Sequence, residues 1–256
     1  MDKQTIRKQF NAQAAKFSNW SVTQNLEYMQ RYYEFCGIKS DDTLLDVACG
    51  TGEYAIFCAR KIKAVSGVDL SDKMIEIARQ NAEALQLENI SFVARDVFEL
   101  PFESGLFSIV NSKSAFHHFS DYKTILGEMK RCCENDGKIS VQDIAAYEDP
   151  DVNHYFESLE SLIDISHHKT LSHAFISRLF SDKKIEIIRS QVVNIELNFY
   201  EYMNHAVQTE ERQKEIIDLV HHGVNDGKTA AFFFQKEDLL YFRRNVFLVL
   251  GVKKDD

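Results

Sequence analysis

An apolar run that stops at two glycines and restarts as a helix is compatible with few folds. Residues 44–55 read Leu44-Leu45-Asp46-Val47-Ala48-Cys49-Gly50-Thr51-Gly52-Glu53-Tyr54-Ala55. The first half is a short buried-strand pattern ending in an acid, and a helical pattern begins at Glu53. Such a strand–turn–helix is a ligand-binding corner of an α/β sheet. Glycine permits positive φ there and lets a ligand approach the main chain, so Gly50 and Gly52 are expected to keep ligand space clear.

Gly50-x-Gly52-x-x-Ala55 formally satisfies the dinucleotide fingerprint, so an NAD-dependent oxidoreductase is the first rival. The charges oppose it. A pyrophosphate would sit at the helix N-terminus, yet Asp46 lies before the turn and Glu53 in the first helical turn. Two carboxylates there favour a ligand with cations and a ribose but no phosphate, such as S-adenosylmethionine (SAM).

Leu45-Asp46-Val47-Ala48-Cys49-Gly50-Thr51-Gly52 resembles motif I of the class I SAM-dependent methyltransferases, most of all the ubiquinone/menaquinone-biosynthesis methyltransferase-like group, with Ala48 where many relatives have glycine. The resemblance is sharp over residues 40–145 and topological elsewhere. It implies an α/β fold with a Rossmann-like, mostly parallel sheet and an antiparallel last strand. It also implies a helical N-terminal lid over 1–35, and a methyltransferase domain over 36–256 with a substrate cap inserted at about 151–223.

The chain's 256 residues suffice for one large domain, and 45% hydrophobic residues allow a sizeable core. The formal net charge of -9 disfavours a nucleic-acid substrate, so a small-molecule acceptor is expected. The N-terminus has no apolar signal region, and the runs Ala230 to Phe234 and Val246 to Val252 are too short to span a bilayer. Five cysteines without a C-x-x-C spacing read as reduced thiols, so a cytoplasmic protein is expected. The vicinal pair Cys132-Cys133 reads as a helix end.

Phe10, Ala14, Phe17, Leu26, Met29 and Tyr33 give residues 1–35 an amphipathic helical pattern. Ala64–Asp69 reads as a second strand ending in an acid. Ser71 then caps a helix whose inner face is Met74, Ile77, Ala78 and Leu85. Strands are expected at Ile90–Ala94, Phe107–Asn111 and Lys138–Gln142, and a helix at Tyr122–Cys133 that ends in the turn Glu134–Gly137. Asp149-Pro150 breaks the alternation. Beyond it come helices at 152–163 and 175–180, two strands at 184–188 and 191–199, one helix over 200–220, a glycine loop at Gly223 and Gly227, and a closing strand over Asn245–Val252.

The resemblance assigns site residues. The expected cofactor set is Phe17 of the lid, Asp46, Ala48, Gly50, Gly52, Asp69, Leu70, Met74, Asp96, Val97 and Ser112. Asp69 is placed on the ribose, while Asp96 and Val97 take the adenine. His117, in Ala115-Phe116-His117-His118-Phe119, is the first choice for a catalytic base, because an imidazole titrates near neutral pH. His154, Tyr155 and His168 are expected at the substrate. His154, His167, His168 and His173 do not form a recognised metal pattern, so no metal is expected. The reading is a SAM-dependent methyltransferase. Its second rival is a SAM-binding protein without transferase activity.

Overall fold

A computed structural model describes residues 3–254; the first two residues of the expected lid and the last two of the chain lie outside it. The chain begins with helices α1 (Lys3–Ser18) and α2 (Leu26–Cys36), followed by β1 (Thr43–Val47), α3 (Glu53–Ala59), β2 (Ala64–Asp69), α4 (Asp72–Ala84), β3 (Ile90–Ala94), β4 (Phe107–Lys113), α5 (Tyr122–Cys132) and β5 (Cys133–Ile144). The second half contains α6 (Pro150–Ile163), α7 (His173–Asp182), β6 (Ile185–Asn198), α8 (Phe199–Asn204), α9 (Glu210–Asn225), β7 (Phe233–Lys236) and β8 (Leu239–Lys253).

The sheet order is β3-β2-β1-β4-β5-β8-β6, with β7 paired to β8. Strands β1 to β5 run parallel, and β8 is antiparallel to β5, β6 and β7. The order reverses between β1 and β4, which opens a crevice at their C-terminal ends. β1 is buried on both faces, as a central parallel strand must be. Leu45, Val47, Val110, Val141 and Phe247 pack on one face with α5 and α7. Leu44, Ile109, Val246 and Leu248 pack on the other face with α2, α3 and α4. A third core joins α6, α8 and α9 to the outer half of β8 through Phe156, Leu159, Phe199, Ile216 and Phe242.

Several expectations change. Leu26 and Leu85 are 64% and 49% exposed, and Ile75 and Ala82 take the inward places on α4. Residues 134–137 bulge from β5 between its pairs with Phe107 and Ile109, Asp136 taking φ +57°, instead of forming a free turn. Pro150 opens α6 behind an Asp149 cap, a place where its missing N–H costs nothing. The two strands expected at 184–199 are one strand, β6, with an irregularity between Ile187 and Arg189. It lies in the main sheet, so the segment 151–223 is not a single insertion. The helix expected over 200–220 breaks at 205–209. Gly223 lies inside α9, where a Cβ would meet the Tyr155 hydroxyl at 2.1 Å. The β7–β8 hairpin turns on Glu237 and Asp238, both at positive φ without a glycine.

Candidate active site

Strand alternation places the polar groups. Asp46, Asn111 and Lys113 follow a two-residue period with Leu44 and Ile109, so they rise from the sheet face beneath α2 and α3. A cavity of about 460 Å³ opens over them, within the range typical of small-molecule sites. It runs from the ends of β1, β2 and β3 across the crevice to β5, β8 and β6, and α1, α2 and α8 close it.

At its first end lies the glycine turn. Ala48, Gly50 and Gly52 have φ of +58°, +56° and +83°, so Ala48 carries the left-handed backbone without glycine's freedom. Gly50 faces the cavity, where an added Cβ would sit 3.5 Å from the Phe17 ring. Gly52 does not. Its Cβ would meet Phe92 at 2.8 Å and Ala78 at 2.9 Å, so this glycine serves the packing of β3 and α4 on the turn, contrary to expectation. Asp69 accepts from Gly50 N and Ser71 N, both at 2.9 Å, and so braces the turn. Burial holds its carboxyl above the ordinary value despite those bonds.

Asp46 accepts from Asn111 Nδ2 at 2.8 Å. Burial pushes its pKa up to about 7; Asn111 and Lys113 oppose the rise, while Asp69 and Glu53 add to it. Glu53 is raised by burial too. Asp96 accepts from Phe98 N at 3.0 Å and pairs with Lys3 of α1. α1 is further held by the Arg7–Asp72 pair and by Ser71 Oγ donating to Asn11 at 2.6 Å.

The middle of the cavity holds Lys113, His117 and His118. Asp143, at the end of β5, accepts from His117 N at 3.0 Å and lies 2.6 Å from its Nδ1. Burial alone would lower His117, but the Asp143 charge and hydrogen bond outweigh it and raise the imidazole. Asp143 is held low by the same partnership against its own burial. Burial and the neighbouring His117 charge push His118 down to about 3, and its Nδ1 lies 3.1 Å from Ser166 Oγ. Burial lowers Lys113, against the pull of Asp46, Glu53 and Asp143.

At the far end Trp20 stacks on His205 with centroids 4.5 Å apart. Glu160 accepts from Arg244 Nε at 2.9 Å and from the Tyr202 hydroxyl at 2.5 Å. This buried pair belongs to the core under α6.

Of the residues expected at the cofactor, Phe17, Asp46, Ala48, Gly50, Asp69, Leu70, Met74, Asp96 and Val97 line the cavity. Gly52 and Ser112 do not; Ser112 falls on the opposite sheet face, next in register to Val141. His117 lines it. His154, Tyr155 and His168 do not: His154 and His168 point to the surface, and the Tyr155 hydroxyl donates to Leu219 O at 3.3 Å. His167, His205, Asp164 and Tyr202 line the cavity in their place. Sequence reading missed Lys113, Asp143, Trp20 and His205. Asp143, immediately after the expected fifth strand, was the one detectable signal, since acids at such ends face the crevice. Among the described residues no group of His, Cys, Asp and Glu is arranged to hold a metal, and no helix is long and apolar enough to cross a membrane.

Known proteins share this architecture. The chain is 25% identical over 218 residues to the uncharacterized methyltransferase YcgJ of Bacillus subtilis, covering 84% of this chain and 86% of that one. The YcgJ crystal structure superposes with a TM-score of 0.80 at 24% identity, over 91% of this chain and 100% of that chain, which shows the shared fold. The demethylmenaquinone methyltransferase of Oceanobacillus iheyensis is 34% identical over 105 residues, 40% of this chain and 44% of that relative, so the match spans less than half of its length. A family model described as a methyltransferase domain matches residues 38–216. That span is most of the chain and includes the glycine turn, the acids after β1 to β3 and the His117–Asp143 pair, and on it the chain belongs to the methyltransferase-domain family and is an enzyme of the SAM-dependent methyltransferase class.

Proposed function

We propose that SAM binds at the β1–β3 end of the cavity and a small-molecule acceptor at the β5–β6 end. One observation carries this reading. Asp46, Asp69 and Asp96, at the ends of three adjacent strands, line one cavity that continues without a partition to His117, which Asp143 holds from behind. The desolvated carboxyls of Asp46, Glu53 and Asp69 suit a ligand bearing cations and a ribose, and they repel a pyrophosphate. This argues against NAD. Asp69 is placed to accept from ribose hydroxyls and Asp96 from an adenine amine, once Lys3 shares or yields its carboxylate. When bound, SAM supplies a methyl group that its sulfonium makes electrophilic.

The protein's own task is to hold an acceptor in line, exclude water and accept a proton where the acceptor carries one. α1, through Phe17, acts as the lid. The Asp143 bond fixes His117 Nδ1 and leaves Nε2 to receive the proton. The raised pKa makes the neutral imidazole a stronger base but keeps it protonated past 6.5, so it is free to accept a proton only above that raised value. The demethylmenaquinone methyltransferase likeness supports a small, ring-bearing acceptor.

The test is calorimetry with SAM and with NAD, followed by product analysis. SAM is expected to bind, and S-adenosylhomocysteine to form in the presence of quinol acceptors. Asp69→Ala is expected to weaken SAM about tenfold or more, the worth of a charge-assisted hydrogen bond. NAD binding in preference to SAM would overturn the reading.

A further inference from the structure

We propose that Lys113 is the acceptor's anchor: its ammonium receives an ionised oxygen, so the acceptor bears an acidic hydroxyl or carboxyl beside the atom that is methylated. This rests on the methyltransferase reading above and goes beyond it by naming a substrate class.

The argument begins with the cavity's cations. Lys3 is paired with Asp96, and Arg31 with Glu27 at 2.6 Å. Arg244, which is not in the lining, is spent on Glu160, which is. Lys113 also lines the cavity, yet among the described residues no hydrogen bond or ion pair reaches its ammonium. Asp46, Glu53 and Asp143 favour its charged form without bonding it, while burial opposes that form, and an oxyanion in direct contact removes the remaining cost.

Its position favours the acceptor over the cofactor. Lys113 stands on β4, on the acceptor side of β1, beside Gln142 of β5 in register. Asp46 and Glu53 act on Lys113 ahead of Asp143, and Asp143 acts on His117 as well. Asp143 does not bond Lys113; its oxygens accept from His117 N and Ile144 N and meet His117 Nδ1. Lys113 and His117 therefore face one region of the cavity, the ammonium as a donor and Nε2 as the base. Beyond them Ile144, Val193, Val246 and Leu248 line the sheet end of the cavity, with Gln142 and Gln191 among them. A ring lying there with its ionised oxygen toward Lys113 satisfies both surfaces.

The experiment uses two probes of nearly equal shape: lawsone, a hydroxynaphthoquinone ionised at neutral pH, and its neutral methyl ether. Each is titrated calorimetrically into the full-length protein saturated with S-adenosylhomocysteine. The wild type is expected to bind lawsone at least about tenfold more tightly than the ether, the scale of a charge-assisted bond. Lys113→Met is expected to lose that preference, and Lys113→Arg to keep it, while both retain wild-type affinity for S-adenosylhomocysteine at a pH where Asp46, which Lys113 helps to ionise, is charged in every variant. Equal binding of the probes, no saturable lawsone binding, or a preference that survives in Lys113→Met would overturn the proposal. So would a loss of S-adenosylhomocysteine affinity in Lys113→Met, which would assign the amine to the cofactor's carboxylate. The preceding cofactor titration separates the two readings: if S-adenosylhomocysteine does not bind the wild type, the methyltransferase reading itself fails.

Discussion

Cofactor binding is expected to expel a proton from Asp46. In the free protein burial holds this carboxyl at about 7, so it is largely neutral at mildly acidic pH. A sulfonium and an ammonium entering beside it favour the carboxylate. If the complex holds Asp46 ionised, about 0.9 proton leaves per SAM bound at pH 6 and about 0.1 at pH 8, by two-state titration about that value. The affinity then falls about tenfold between pH 8 and pH 6, each pK unit being worth about 1.36 kcal/mol. The assay is calorimetry at each pH in two buffers of different ionisation enthalpy, which counts the protons. The ligand's own amine titrates as well, so the decisive quantity is the difference between the wild type and Asp46→Asn. A proton count at pH 6 that is the same in both proteins would refute the assignment of Asp46 to the cation end of the site.

The two glycines of the turn are expected to fail differently. Gly52→Ala drives a Cβ into Phe92 and Ala78 at φ +83° and should cost about 2–4 kcal/mol of stability by urea unfolding, from overpacking and a strained backbone together. Gly50→Ala meets only Phe17 at 3.5 Å and should cost about 1–2 kcal/mol of stability while weakening SAM more strongly; equal stability losses would contradict this division. The His117–Asp143 pair gives a pH window. The raised His117 stabilises fully below 6.5 and loses that contribution as pH rises through its folded value, whereas the lowered Asp143 contributes above 3.8 and loses it on acidification. The melting-temperature difference between wild type and His117→Gln should therefore be largest between those values and shrink above them, and a difference that grows toward alkaline pH would count against the ion pair.

Local patterns carried the first half of the fold. The strand–glycine–helix corner, the Asp69 strand end and the Ser71 cap are each written within a few consecutive residues, so they could be read without tertiary knowledge. β6 could not. Most of its side chains are exposed, so alternation was weak, and the irregularity at Ile187–Arg189 split the pattern in two. The Glu237–Asp238 turn was hidden because neither residue is the glycine or asparagine that usually marks positive φ. The site followed the same divide. The acids after β1, β2 and β3 sit beside their motifs. The acceptor end is assembled from residues far apart in the chain: Trp20 meets His205, and His117 meets Asp143, only through the sheet order. His154 and His168 share a composition cue with His167 and His205, but only His154 lies in a helix; the path of the irregular segments at 164–172 and 205–209 decides which of the others turn inward, and periodicity does not give that path.

The short stretch from Phe17 to Trp20 covers both ends of the cavity. Phe17 lies against Gly50, Trp20 lies on His205, and the two rings meet edge to face with centroids 6.1 Å apart. One cover over two ligands has a kinetic meaning. Neither can leave without moving the rings that shelter the other, so their residence times are coupled. With the ligands placed as proposed, a slowly dissociating nucleoside product would hold the acceptor end shut, and a bulky acceptor would in turn retain the nucleoside.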